Sequence, residues 1–383
     1  MKRIIHIFVI AGLLGNLAAC QKEPAAEQRE VRLDITPMID VSPVTKSTVI
    51  PTTTDGSGNY YMPGGTSYGL FICDHHTGSY TDGSNPYNEY AARYNNINAY
   101  NSSGWSYNYF GYSSFSILYL VPKDEDRDGI TDNTCDIFAY APYQSGITRL
   151  EAIPFSIAGL QTDVMYAQQN GTDNLDIDPA DYMVAGRIPV PLTFRHTLSL
   201  LEFDIKLKND KYNHPWGAFG SEFTDNTIEH ELQTITIDKV HSSGHLYTSG
   251  KMNAMTGGTL YDLTEASTVT VTSFVANSSS TMSGRVSVPP NTIAKAYVMM
   301  VPTTFDGAGD EDCLFRFSFR FSNQDFPITF SLKKKHLKHS DSTYGLKTNC
   351  KYTFHFTIDN YIHLEDVEIG EWEAVVVPFQ KEL

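Results

Sequence analysis

Basic residues are scarce in this chain: 28 Lys and Arg stand against 44 Asp and Glu, a formal net charge of −16 over 383 residues. A surface that binds phosphates needs a Lys/Arg excess, so this balance excludes nucleic acid as a partner. Only five cysteines occur, and no two have C-x-x-C spacing, which excludes a zinc knuckle and a thioredoxin-type redox motif. Beyond the first twenty residues no apolar run is long enough to cross a bilayer. A sustained 3.6-residue apolar stripe is also missing, and the best helical candidate is a short turn at 164–169. Enzyme motifs are absent as well. His230-Glu231 starts like a zincin, but Thr234 stands where the second His of H-E-x-x-H belongs. Residues 244–251 have one residue too many between the glycines for a P-loop, and there is no G-x-S-x-G. No residue is assigned a catalytic role, and the reading is of a protein that is not an enzyme and requires no cofactor.

The N-terminus carries the clearest signal. Lys2 and Arg3 precede an apolar run from Ile4 to Leu14, and Leu17-Ala18-Ala19 stands directly before Cys20. A charged start, a short apolar stretch and small residues before a cysteine make a signal peptide over 1–19 that resembles a bacterial lipobox. The resemblance implies a lipid on the Cys20 thiol and anchoring to the outer membrane, with the rest of the chain exported and exposed at the cell surface. Residues 20–32 are polar and read as a lipidated tether. Cys73, Cys135, Cys313 and Cys350 remain; in an oxidising compartment they allow two disulfides in three pairings, among which the sequence does not choose.

From residue 31 onward the dominant period is two. Phe315, Phe317, Phe319 and Phe321 alternate with polar residues, as do Tyr352, Phe354, Phe356 and Ile358, and Leu201, Phe203, Ile205 and Leu207. Each pattern predicts a strand with one face in a core and one in water. His196, Leu198 and Leu200 hold the opposite phase to Leu201, which predicts a β-bulge near Leu200-Leu201. Further strands are expected at 68–73, 115–121, 136–141, 234–240, 268–273, 285–288 and 295–301. Many short strands between Gly-, Asn- and Ser-rich turns predict an all-β chain of antiparallel β-sandwiches, and the length predicts two in tandem. The Pro-rich stretch 187–191 is the natural divide, giving an N-terminal domain over 33–189 and a C-terminal domain over 190–383.

Several segments, in order, resemble the fimbrillin superfamily of Bacteroidales lipoprotein pilins. Thr45-Lys46-Ser47 with Tyr68-Gly69-Leu70-Phe71-Ile72 resembles the family's early processing site and first core strand. Asp136-Ile137-Phe138-Ala139-Tyr140-Ala141-Pro142-Tyr143 resembles its "aYyPy" strand. The run Val190-Pro191-Leu192-Thr193-Phe194-Arg195-His196-Thr197-Leu198-Ser199-Leu200-Leu201-Glu202-Phe203 is the most specific match, and Ile369-Gly370-Glu371-Trp372 matches the family's closing pattern. The resemblance implies two transthyretin-like sandwiches and a pilus subunit or adhesin that polymerises with other fimbrillin subunits. A protease trims an N-terminal strand after a basic residue, and another subunit fills the groove with its own donor strand. Lys46 stands where the family's pilins carry Arg; Arg29 and Arg32 are substitutes, and residues 31–39 would be the removable strand. The same strand equally suits a permanent place, as in non-polymerising relatives. Residues 373–379 suit a donor strand or the last strand of the second sandwich.

Other constellations remain. Asp124, Asp126, Asp128 and Asp132 form D-x-D-x-D-G-x-x-D, which resembles a Ca2+ loop, but Cys135 occupies the twelfth position where a closing carboxylate belongs; the other reading is a solvated acidic hairpin. Trp105, Tyr107 and Tyr109 lie in an aromatic, polar stretch suited to contact with a glycan or a surface receptor, or to the first core. That contact motivates the alternative function, a surface glycan-binding lipoprotein of a polysaccharide-uptake system. The basic cluster 333–339 reads as a solvated loop, and His196, beside Phe194 in a strand, as a structural histidine. Cys73-Asp74-His75-His76 makes a poor metal site, because adjacent strand residues point to opposite faces.

Overall fold

The structure, a computed structural model, describes residues 31–33, 35–39, 53–54, 60–61, 67–74, 92–101, 105–108, 118–120, 135–158, 161–168, 176–177, 190–207, 230–276, 282–288, 292–322, 326–358 and 362–372. It is nearly all β. In the first half the strands are β1 (Val31–Leu33), β2 (Ile35–Ile39), β3 (Thr53–Thr54), β4 (Tyr60–Tyr61), β5 (Ser67–Asp74), β6 (Ala92–Asn101), β7 (Trp105–Asn108) and β8 (Leu118–Leu120). They continue with β9 (Cys135–Ala141), β10 (Ile153–Ser156), β11 (Met165–Gln168), β12 (Asp176–Ile177) and β13 (Val190–His196). The second half holds β14 (Ser199–Leu207), β15 (His230–Lys239), β16 (Tyr247–Asn253), β17 (Thr259–Glu265), β18 (Thr268–Val271), β19 (Val275–Ala276) and β20 (Met282–Ser283). Last come β21 (Val286–Val288), β22 (Ile293–Met300), β23 (Cys313–Phe321), β24 (Ile328–Lys333), β25 (Cys350–Ile358) and β26 (Ile362–Glu371). Among the described residues no helix is long and apolar enough to cross a membrane.

One ten-stranded sheet runs β3-β4-β2-β13-β11-β9-β5-β6-β7, with β12 beside β9. Two other sheets, β22-β14-β25-β26 and β18-β15-β23-β24, share a single core between them. Phe203 lies at its centre, 5.2–5.7 Å from the rings of Phe317, Phe319, Phe354 and Phe356. The alternating phenylalanines legible in the sequence therefore point inward from both sheets, in offset and edge-on contacts that aromatic rings favour. Pairing is antiparallel throughout except β2 with β13 and β14 with β25.

Three expectations from the pattern are corrected here. No bulge interrupts β14: its register with β22 and with β25 is continuous through Leu200 and Leu201. The change of phase instead reflects a strand buried on both faces, with Leu201, Phe203 and Ile205 in one core and Leu198 and Leu200 in another. Glu202 and Asp204, expected in water, are 1% and 8% exposed; Lys295 sits on both carboxylates, and Lys351 Nζ lies 3.6 Å from Glu202. The helical turn expected at 164–169 is a strand, β11, because both its edges are taken, by β9 and by β13. Tertiary pairing there overrides a short apolar run that carries no period of its own.

A hairpin arm, β16–β17, reaches from the second half of the chain to pair with β10 of the first, forming a three-stranded sheet. Residues from both halves then share one apolar cluster that includes Phe71, Tyr140, Phe155, Leu200, Met252 and Trp372.

Candidate functional site

The N-terminal strands occupy an unusual place. β2 runs parallel to β13 in five pairs, Ile35↔Val190 to Ile39↔Phe194, and touches β4 at only one pair, Met38↔Tyr61. β1 pairs with β8 over three residues. Proline enters the short parallel seam from both sides: Pro37 faces Leu192, and Pro191 faces Thr36. Alternate residues of a parallel ladder turn to the partner, and the pairs set Thr36 and Leu192 in that role, so both prolines fall on the set that turns away and the seam accommodates them. β13 tolerates Pro191 because β11 borders only 193–196, leaving the proline in the stretch flanked by β2 alone. By contrast, the buried flank of β13 is firmly held: Leu192 and Phe194 are fully buried, and Phe194 meets Tyr68 edge-on at 5.3 Å.

At its far end β13 finishes in a packed polar cluster. The His196 ring stacks on Trp372, with centroids 4.1 Å apart and planes 8° from parallel. Its Nδ1 lies 2.8 Å from Asp163 Oδ2, a close polar approach off the hydrogen-bond direction, and all three residues are buried. The structural reading of His196 thus acquires its partners, and no solvent-accessible chemistry surrounds it. Backbone bonds join the same elements: Trp372 N donates to Asn349 O (2.7 Å), and Asn349 N to Leu198 O (3.1 Å). Nearby, the Gln161 carboxamide takes the place of a neighbouring strand for Met299 of β22. It accepts from Met299 N (2.5 Å) and donates to Met299 O (3.2 Å). Neither Asp163 nor Gln161 carried a signal in the sequence, since each acts on a residue far along the chain.

The remaining sequence candidates fall as follows. Cys20, Arg29 and Lys46, the acidic residues Asp124, Asp126, Asp128 and Asp132, Tyr109 and the segment 373–379 lie outside the described residues. Arg32 is in β1, opposite Tyr119. Trp105 and Tyr107 are in β7, the last strand of the large sheet, and Tyr107 pairs with Ala99. Cys313 and Cys350 are free thiols, and burial raises the Cys350 thiol above its usual range. Among the described residues no three His, Cys, Asp or Glu side chains gather as metal ligands would.

The basic cluster is matched by acids rather than left to solvent. Residues Lys334–Leu337 form a short 3-10 turn with Leu337 buried. Lys333 and Lys335 both bind Glu311, at 2.8 and 2.7 Å, and their hydrogen bonds hold its carboxyl down at about 2. Lys334 donates to Ala308 O and lies over the Tyr344 ring, while Lys347 pairs with Asp341 and pulls that carboxyl well below its usual range. A free cationic patch for an acidic polymer is therefore not what this turn presents.

One family model matches the chain. The fimbrillin-like family matches residues 129–372, which include β9 to β26 and the closing Trp372. No curated protein matches the chain. Among solved structures, a candidate cell adhesion protein from Bacteroides uniformis is similar at 15% identity and a TM-score of 0.49, covering 90% of this chain and 99% of that one. A second candidate cell adhesion protein, from Bacteroides ovatus, has 14% identity and a TM-score of 0.48 over 90% of this chain and 98% of that one. A fimbrial protein from Bacteroides vulgatus has 12% identity and a TM-score of 0.40 over 90% of this chain and 100% of that one. The family match spans well over half of the sequence, and the chain belongs to the fimbrillin-like family.

Proposed function

We propose that this protein is a lipid-anchored fimbrial subunit, exposed at the cell surface, that polymerises by strand addition beside β13. As a member of the fimbrillin-like family it is a structural protein and not an enzyme. The observation that carries the reading is the seam between β2 and β13: five parallel pairs with a proline on each side. Parallel pairing is slightly weaker per residue than antiparallel pairing, and this seam is only five pairs long. An incoming strand that also paired with Arg195 and His196 would form a longer ladder on the same edge, so exchange is favourable once β2 can leave.

Which basic residue is cut decides what leaves. A cut after Arg29 keeps both β1 and β2, and a cut after Arg32 falls within β1 and keeps β2. Only a cut after Lys46 severs β1 and β2 together from the rest of the chain. Lys46 is thus the processing site of this reading, and the lipid on Cys20 would be released with the same fragment. The two units are tandem transthyretin-like sandwiches in this reading.

Limited trypsin digestion of the purified chain tests the proposal. A cut after Lys46, followed by a ladder of polymers that survives SDS without heating, is the expected result, and Lys46→Gln should abolish it. Clean trimming after Lys46 that leaves only monomers would overturn the assembly reading.

A further inference from the structure

We infer that Trp372 is an anchor that keeps β26 from peeling when the C-terminal segment is pulled, and that it passes the pull to the end of β13. This rests on the strand-addition reading and adds to it the residues that hold the joint inside each subunit.

The argument begins with where β26 lies. It is the outer strand of its sheet, and among the described residues it pairs only with β25. Its side chains give a partial hold: Ile362, Leu364, Val367 and Ile369 pack half-buried against the core, and none of its residues is fully buried. Eleven residues follow Trp372 in the sequence. A partner gripping that tail pulls on β26 from its C-terminal end. Hydrogen bonds loaded at one end of an edge strand break one pair at a time, from Cys350↔Glu371 inward, which needs far less force than shearing all of them together. Trp372 stands between the tail and that first pair, and unlike the strand before it, it is fully buried.

Its connections lead to the seam. The ring lies on His196, the last residue of β13, and Asp163 Oδ2 backs the His196 ring from 2.8 Å. The backbone follows a parallel route through Asn349 to Leu198, just after β13 ends, and Ser199 Oγ donates to Lys347 O at 2.8 Å. The strand that receives a neighbour on one edge and the residue from which the tail departs thus share one packed cluster. Tension entering along the tail reaches β13, and through it the large sheet, without first loading the β25–β26 ladder.

Single-molecule pulling on the full mature chain tests this, with one handle at exposed Val240 and the other at the C-terminus. The wild type is expected to hold until a cooperative rupture. Trp372→Ala should instead show an early low-force step of about 35 Å, the extended length of the ten residues of β26. With handles moved to Val240 and Ile293, both exposed, the two proteins should rupture at the same force. An equal weakening in both directions would mark Trp372 as a general stability residue and overturn the inference, as would the absence of the early step. Should Trp372→Ala not fold, hydrogen exchange on the wild type decides. Amides of 368–371 should be protected as well as those of β14, and fraying there at the rate of a free edge would refute the anchor. None of these outcomes bears on whether trimmed subunits polymerise, so the two readings fail separately.

Discussion

Gly258 offers a measurement of how tightly the hairpin arm locks the two halves of the chain. It lies in the turn between β16 and β17 with φ of +69°, and a Cβ built there would stand 2.2 and 2.3 Å from ring atoms of Tyr166 and 2.7 Å from Thr197 Cγ2. Neither neighbour has room to withdraw. Tyr166 is buried in β11, and Thr197 is fully buried with both its N and its Oγ1 donating to Val164 O. Gly258→Ala therefore suffers two costs: about 1 kcal/mol for a left-handed alanine and about 1–3 kcal/mol for an overpacked interior. Gly146 is the matched control, with φ of +84° and nothing within 4 Å of its virtual Cβ. Gly146→Ala should show the backbone cost alone. Urea unfolding followed by intrinsic fluorescence is the assay, with unchanged slopes and a midpoint displaced at least twice as far for Gly258→Ala as for Gly146→Ala. Equal displacements would refute the reasoning, because they would mean that the arm tip yields and does not press on β11.

Three further outcomes follow from the same structure. Phe203→Ala removes the ring that four others surround, and should cost about 3–5 kcal/mol in an equilibrium unfolding experiment; a loss below about 1 kcal/mol would contradict a well-packed core. Glu311, held down at about 2 by Lys333 and Lys335, contributes stability that is complete above its ordinary value of 4.5 and is lost as pH falls through about 2. Its carboxylate is exposed, so thermal melts between pH 5 and 2 should show a small acid-limb difference between wild type and Glu311→Gln that high salt erases. An unchanged difference in molar salt would argue against the ion pairs. Tyr261→Phe deletes the hydroxyl that donates to Glu151 O across the two halves at 2.5 Å, and should loosen the arm, seen as faster amide exchange in β10 and β16 with β24 unaffected.

The sequence revealed strands wherever one face was apolar and the other polar, and it misled where that premise failed. β14 has no water face, so its two apolar sets read as a slipped register when they are two cores served by one strand. β16 and β17 went unseen because their residues are largely exposed or half-buried and their place is set by backbone pairing, which leaves no period in the side chains; β26 does alternate, but an extra residue at Glu365 breaks its phase. β6 is rich in Asn and Tyr and gave the same blank. At the candidate site, the tryptophan of the closing pattern and the histidine of the most specific segment were each legible, but not that one ring lies on the other. Asp163 and Gln161 could not be read at all, since an isolated polar residue in a loop has no signature until its distant partner is known.

The parallel seam makes one more demand, and it can be tested with a peptide. A strand replacing β2 must place apolar residues opposite Val190, Leu192 and Phe194, where Ile35, Pro37 and Ile39 now stand, because a slip of one residue would turn its apolar set away from the core. Within this chain the segment Glu373-Ala374-Val375-Val376-Val377-Pro378-Phe379 has that alternation in Val375, Val377 and Phe379. Its own proline falls at position 378, where Met38 stands in β2, so it gives up one donor and holds the edge through its apolar set. A synthetic peptide of residues 373–379 should therefore cap trimmed subunits and halt their polymerisation in proportion to its concentration. The same peptide with Val375→Lys and Val377→Lys should have no effect, because two ammonium groups cannot enter the apolar edge without losing their hydration. Inhibition of equal strength by both peptides would mean that any extended chain blocks assembly, and the alternation would then have no part in choosing the donor.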